Sequence, residues 1–326
     1  MDIGHKRTDD IIAELEKRVG KEYAQAAEEV DRKFKEYMAR FERRKKLKLQ
    51  QLAAGQITQQ EFNEWYYGQV CVGKRWQAMR DRLAVDLSNT NMIARSIAQG
   101  YMSEVYALNH NYALYQVEHD AMINTSLTLY NQRAVERLIK DDDNLLPYPR
   151  KDSPTAKELI QRPDIIWNRQ HIHNAITQGI LQGESIPQIS KRLERVVGMN
   201  HKAAVRNART MMTSVESKSR VDVYDEIRDM GMEVREMWMA TLDQRTRTSH
   251  RHLHGTYKDP ETGEFANGLK YPADPDGDPE EVYNCRCSVV CEIGSINIDV
   301  PRQTSRMNGM SFDEWLDAKP VYKHIR

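Results

Sequence analysis

Two histidines and two cysteines in the last third of the chain have the residue types of a metal centre. His250-x3-His254 puts two imidazoles one turn apart on one face of a helix. Cys285-x-Cys287 puts two thiols on one face of a strand, because strand side chains alternate. Two thiolates and two imidazoles are the donor set of a tetrahedral structural zinc, although the common knuckle spaces its cysteines by two residues. Three of the four cysteines fall within seven residues, which favours a local site over a disulfide framework. Cys291 is a reserve ligand if the strand continues, and His252 points away from the other two histidines. The bland alternative is two small buried cysteines and two loop-facing histidines. An enzymatic version would use His250, Cys285 and Cys287 as ligands, with Asp243 or His254 as the base. The zinc-deaminase and His-Glu-x-x-His signatures are missing, as are a phosphate loop, a Rossmann glycine motif and a serine-hydrolase elbow. A non-enzymatic protein is the expectation. The stretch Asp274-Pro-Asp276-Gly-Asp278-Pro-Glu280 lacks the position-twelve glutamate of a calcium loop and reads as a solvent-facing acidic turn.

These residues need elements to hold them. A strand is expected over 234–241, with Trp238 in the core, and a second over 285–291. Between them a short helix should begin near Asp243, whose carboxylate can cap the amides at 245–246. Upstream the period lengthens. Over 9–54, apolar residues from Ile11 and Leu15 to Phe41 recur at threes and fours, with an eleven-residue repeat and a stop at Gly55. Such a stripe needs further helices or another subunit to cover it. Thr58 and Glu61 form a capping box, and helices follow over 59–69, 74–87, 89–118 and 126–141. The aromatics Trp65, Tyr66, Tyr67 and Trp76 are expected to pack between helices. Prolines and acids over 141–155 mark a linker. Helices then cover 154–162, 165–182, 187–197 and 201–230, the third started by Ser185-Ile186-Pro187 and the last ended by Gly231. This divides the chain into a long-helix region 1–145, a domain 146–294 and a tail 295–326. The fold expected is mainly α at the N-terminus and α+β at the C-terminus, with a small antiparallel sheet and a His/Cys cluster.

The 326 residues carry 48 basic and 48 acidic side chains, so any polyanion contact must be local. No stretch approaches the roughly 18 apolar residues of a membrane span, and the start Met-Asp-Ile-Gly-His-Lys lacks a signal-peptide core, so synthesis in a cytoplasm is expected. Two stretches could meet DNA or an acidic partner. One is Arg43, Arg44, Lys45 and Lys46; the other is Lys191–Arg220, with Lys191, Arg192, Arg195, Lys202, Arg206 and Arg209, at a local net of +6. The plain reading of both is a solvated helix face. The loop 257–283 has eight acids and two lysines, a net of −6.

In order along the chain stand Gly183-x-Ser185, Ala208-Arg209-Thr210, Trp238, Asp243-x-Arg245-Thr246-Arg247-x-x-His250, Gly255, Phe265, Pro272 and Asn284-Cys285-Arg286-Cys287. This ordered set resembles the phage Mu F-like minor head proteins, also called head morphogenesis proteins, over about 155–293. A short helix at Ser311–Leu316, capped by Ser311, fits the end of such proteins. Carried over, the family core falls on Asp243, Thr246, His250, Cys285 and Cys287, with Trp238 in the strand. His254 departs from the pattern, which leaves Asp243 and Cys291 as rivals for a fourth ligand. The resemblance implies a zinc-type site, and no catalytic activity follows from it. It also implies a minor capsid protein in the head of a tailed phage, with the portal protein, other capsid proteins and double-stranded DNA as contacts.

Overall fold

The structure, a computed structural model of the chain, describes residues 2–69, 74–125, 127–141, 163–296 and 309–319. Its elements run α1 (Ile3–Ala53), α2 (Gln59–Tyr67), α3 (Lys74–Ala121), α4 (Gln132–Asp141), α5 (Pro163–Leu181), α6 (Ile186–Asp229), β1 (Met232–Met239), α7 (Thr248–Leu253), α8 (Pro279–Val282), β2 (Ser288–Ile296) and α9 (Phe312–Ala318). The expected class holds: long helices, then a small α+β part whose β1 and β2 pair antiparallel, with Met239 opposite Ser288. No helix among the described residues is long and apolar enough to cross a membrane.

Helix α1 follows its apolar stripe. Leu15, Val19, Tyr23, Val30, Phe34 and Phe41 are buried, and Ile12 rather than Ile11 leads the row. The chain therefore covers this stripe with its own elements. Gly55, at φ +70°, ends the helix: its amide reaches the Leu52 carbonyl and the Gln56 amide reaches Gln51. The capping box of Thr58 and Glu61 starts α2.

Two expected helix breaks are absent. Helix α3 runs through residue 88, and α6 runs through 198–200. Polar residues at and near both positions satisfy one another instead. Asn168 donates to Ser88 Oγ at 3.0 Å, Asn200 to Asn168 Oδ1 at 2.9 Å and Asn91 to Asn200 Oδ1 at 2.9 Å. A Cβ at Gly198 would meet nothing within 4 Å, so no tight turn calls for that glycine. Helix α4 starts six residues later than expected. Asn111 exchanges two hydrogen bonds with the Tyr130 backbone, at 2.7 and 2.9 Å, and the Asn131 side chain then caps α4. The expected helix 154–162 and the linker beyond Asp141 lie outside the described residues.

Contacts group the chain into two compact units, one of 1–16, 97–152 and 206–326, the other of 17–96 and 153–205. This partition differs from a cut at 145/146, because α1, α3 and α6 each contribute to both units. In the second unit Trp76 is fully buried, and Trp65 and Tyr66 pack on Phe41 with ring centroids 5.9 and 5.7 Å away. Tyr67 stays exposed.

The first unit holds charge inside its core. Arg220 is fully buried and donates to both Asp2 oxygens (2.8 and 2.9 Å) and to Asn109 Oδ1 (2.9 Å). His5 Nδ1 lies 2.7 Å from the buried Glu216 carboxylate. Burial alone would lower the His5 pKa, but Glu216 overrides it and raises it to about 9. A second buried carboxylate, Glu118, secures the C-terminal helix. It accepts from the Thr125 amide (2.8 Å) and hydroxyl (2.7 Å), from Trp315 Nε1 (3.0 Å) and from Lys319 Nζ (2.6 Å). Phe312 and Trp315 of α9 are buried against Tyr115, and the expected cap at Ser311 is present.

Replacing Lys319 by Ala strands the Glu118 charge in the core, which should cost about 3–5 kcal/mol. Urea unfolding of the full chain checks this; a loss below about 1 kcal/mol, the value of an exposed pair, would contradict it.

Candidate metal centre

Strand β1 ends beside α7, and backbone bonds fix the two together. The Trp238 amide donates to the Thr256 carbonyl (2.9 Å), and the Gly255 amide donates to the Trp238 carbonyl (2.8 Å). Gly255 makes this return at φ +77°. Trp238 is fully buried and meets His250 and Phe265 edge-on, each with centroids 5.1 Å apart. His250, on α7, is therefore inside the core rather than on the surface.

Cys285 and Cys287 precede β2, which begins at Ser288, so they sit on a loop rather than in the strand. Side chains from α6 and from the turn after β1 pin this loop. Thr213 Oγ1 donates to the Cys285 carbonyl (3.0 Å), the Asn284 amide to Thr210 Oγ1 (3.0 Å), and Thr241 Oγ1 to the Arg286 carbonyl. Asn284 turns the chain at φ +58°. Arg286 reaches both oxygens of Asp243, at 2.5 and 2.7 Å. Asp243 does not open α7, which starts at Thr248. It caps the Arg245 amide (2.9 Å) and contacts Thr246 Oγ1 (3.1 Å) in the preceding turn.

The result is a convergence of three donors. His250 Nδ1 lies 3.6 Å from Cys285 Sγ and 3.4 Å from Cys287 Sγ, and all three ligand atoms lie within 4.8 Å of one another. Burial pushes the Cys285 thiol well above its ordinary pKa, and that neighbouring thiol holds Cys287 below its own. A buried imidazole and two sulfurs suit a thiophilic divalent ion such as zinc.

Other expected site residues lie elsewhere. His254 is exposed at the end of α7, where its Nδ1 accepts from the Ala240 amide (3.2 Å). Among the described residues, the converging group is His250, Cys285 and Cys287. Asp243 is engaged by Arg286, Cys291 faces Tyr224, and burial raises its thiol to about 12. Within the acidic stretch, Asp274 is buried and accepts from the Lys270 (3.0 Å) and Asp276 (3.1 Å) amides, so it is not solvent-facing. Sequence reasoning missed Glu281, whose Oε2 lies 2.9 Å from His250 Nε2. The available signal was Asp278-Pro279, the N-cap and first position of the short helix α8 that presents Glu281.

The basic stretches are less open than their charge suggests. Arg220 is buried, and Arg192, Arg209 and Lys218 pair with Glu184, Glu16 and Asp222. Lys191, Arg195, Lys202 and Arg206 remain exposed, Arg206 with its guanidinium 4.6 Å over the Tyr283 ring. On α1, Arg43, Arg44 and Lys46 are exposed, and Lys45 leans over Tyr66.

Long helices precede a small antiparallel pair, and a Cys2His cluster forms from α7 and the loop before β2. Residues 170–290 match the family described as Phage Mu protein F like protein. Minor head protein GP7 of Bacillus phage SPP1 is 23% identical over 250 residues, covering 77% of this chain and 72% of the relative. NAD(+)–arginine ADP-ribosyltransferase EFV of Enterococcus faecalis is 25% identical over 235 residues, or 70% of this chain. The match takes in 45% of that relative, so the chain spans less than half of it. No solved structure matches.

Arg286 holds the Asp243 carboxyl well below its ordinary pKa, against the burial that would raise it. Its stabilising effect is present above the unfolded value near 4 and fades as pH falls. The full chain should therefore melt higher than Asp243→Asn at pH 7, with the gap shrinking toward pH 3; a gap constant with pH would contradict this pairing.

Proposed function

We propose that this chain is a minor head protein of a tailed bacteriophage, acting in capsid morphogenesis as a non-enzymatic component of the virion. The observation that carries the reading is the family match at 170–290, which contains the whole donor cluster. The SPP1 minor head protein, matched along most of its length, supports it. The portal protein is the proposed docking partner, beside other capsid proteins.

In this reading His250, Cys285 and Cys287 hold one zinc. Bound there, the ion supplies a cross-link between α7 and the loop before β2, in the manner of structural zinc sites. Burial of all three donors favours that role over an open catalytic ion. The chain's own residues do the positioning: Thr213, Thr241 and Arg286 fix the cysteine loop, while Trp238 fixes the imidazole.

Native mass spectrometry of the chain co-expressed with the portal protein of the same genome is the test. A complex of defined stoichiometry carrying one zinc per copy is expected, and Cys285→Ser should lose zinc and stability together. A free chain with an intact fold would remove the portal assignment, and unchanged zinc in the variant would remove Cys285 as a ligand. DNA contact through Arg43, Arg44 and Lys46 extends the reading; it should weaken steeply with salt, and a flat salt response would remove it.

A further inference from the structure

Neutral imidazole has one N–H and one lone pair, so a histidine ligand must be held in the correct tautomer. In this chain the two ring nitrogens of His250 have different surroundings. Nδ1 faces both sulfurs, at 3.6 and 3.4 Å. Nε2 is buried and has no hydrogen-bond partner of good geometry among the described residues, but Glu281 Oε2 lies 2.9 Å away, off the ring N–H axis.

Glu281 is itself held in place. Its oxygens accept from Ser249 Oγ (3.0 and 3.1 Å) and from Asn267 Nδ2 (3.1 Å). Its backbone lies in α8, which is capped by Asp278, started by Pro279 and anchored by the buried Val282. An ionised carboxylate only accepts hydrogen bonds, so the imidazole nitrogen beside it is the one that carries the proton.

We propose that Glu281 is a positioning residue of the centre: it holds His250 with the proton on Nε2, which leaves Nδ1 as the metal-binding atom. The assignment rests on the zinc reading and adds to it a residue outside the cysteine and histidine motif. Carboxylates placed in this way orient the ring and raise the basicity of the ligand, and their loss typically costs 10- to 100-fold in metal affinity. It also gives the acidic loop 257–283 a connection to the centre, because Glu281 and Asn267 both belong to that loop.

Two readouts on the full-length chain test this. The first is zinc affinity by chelator competition. Glu281→Ala should bind zinc 10- to 100-fold more weakly, and Glu281→Gln, which keeps an acceptor, should lose less. The second is the tautomer of His250, read from two-bond couplings to its ring nitrogens in chain labelled with 15N-histidine. Wild type should show Nε2 protonated with and without zinc, and Glu281→Ala without zinc should show a mixture. Zinc bound through Nε2, or a Glu281→Ala affinity within twofold of wild type, would overturn the assignment. If wild type binds no zinc, the zinc reading fails. The zinc-free tautomer then still decides on Glu281: a mixture in wild type overturns it, and Nε2–H lost in Glu281→Ala supports it.

Discussion

One imidazole sets the terms for the small α+β part of this protein. His250 is polar, buried, and wedged between the Trp238 ring and two sulfurs. Polar groups in a core destabilise it unless each finds a partner, and partly satisfied networks are the costly case. The surrounding sequence answers that constraint. Thr210 and Thr213 reach out from α6, and Thr241 from the turn after β1, to satisfy the backbone of the cysteine loop. The Asp243–Arg286 pair ties that turn to the same loop. The two-stranded sheet is too small to impose such order alone, since an isolated hairpin is marginal in water.

The same economy of buried polar groups appears elsewhere. Ser88, Asn91, Asn168 and Asn200 form a hydrogen-bonded chain in one unit. In the other, Arg220 gathers Asp2, Asn109 and Glu216, and Glu118 gathers Thr125, Trp315 and Lys319. Each group brings residues far apart in sequence to one point, with Lys319 meeting Glu118 across 201 positions. Such contacts specify which helices meet, because a displaced partner leaves a buried charge or amide unsatisfied.

This explains what could be read from the sequence. Apolar periodicity located the long helices among the described residues, although it divided α3 and α6, because burial of a stripe is a local pattern. The capping signals at Thr58, Ser185, Gly231 and Ser311 also held, because caps are made by neighbours. Polar residues at the two expected helix breaks have distant partners: Ser88 and Asn200 are core contacts inside continuous helices. At the site, residue types identified His250, Cys285 and Cys287 as one group. His254 was included on helical spacing, but α7 ends at Leu253 and the ring turns to the Ala240 amide. Glu281 was hidden among eight acids whose composition suggested solvent, and only the folded loop distinguishes it from Glu280.

X-ray absorption at the zinc edge, on the full chain purified without added metal, bears most directly on the centre. One tightly held zinc per chain is expected, with two sulfurs at about 2.3 Å and a histidine nitrogen at about 2.0–2.1 Å. A metal-free chain that is nonetheless folded, or a zinc surrounded by oxygen and nitrogen without sulfur, would contradict a centre built on His250, Cys285 and Cys287.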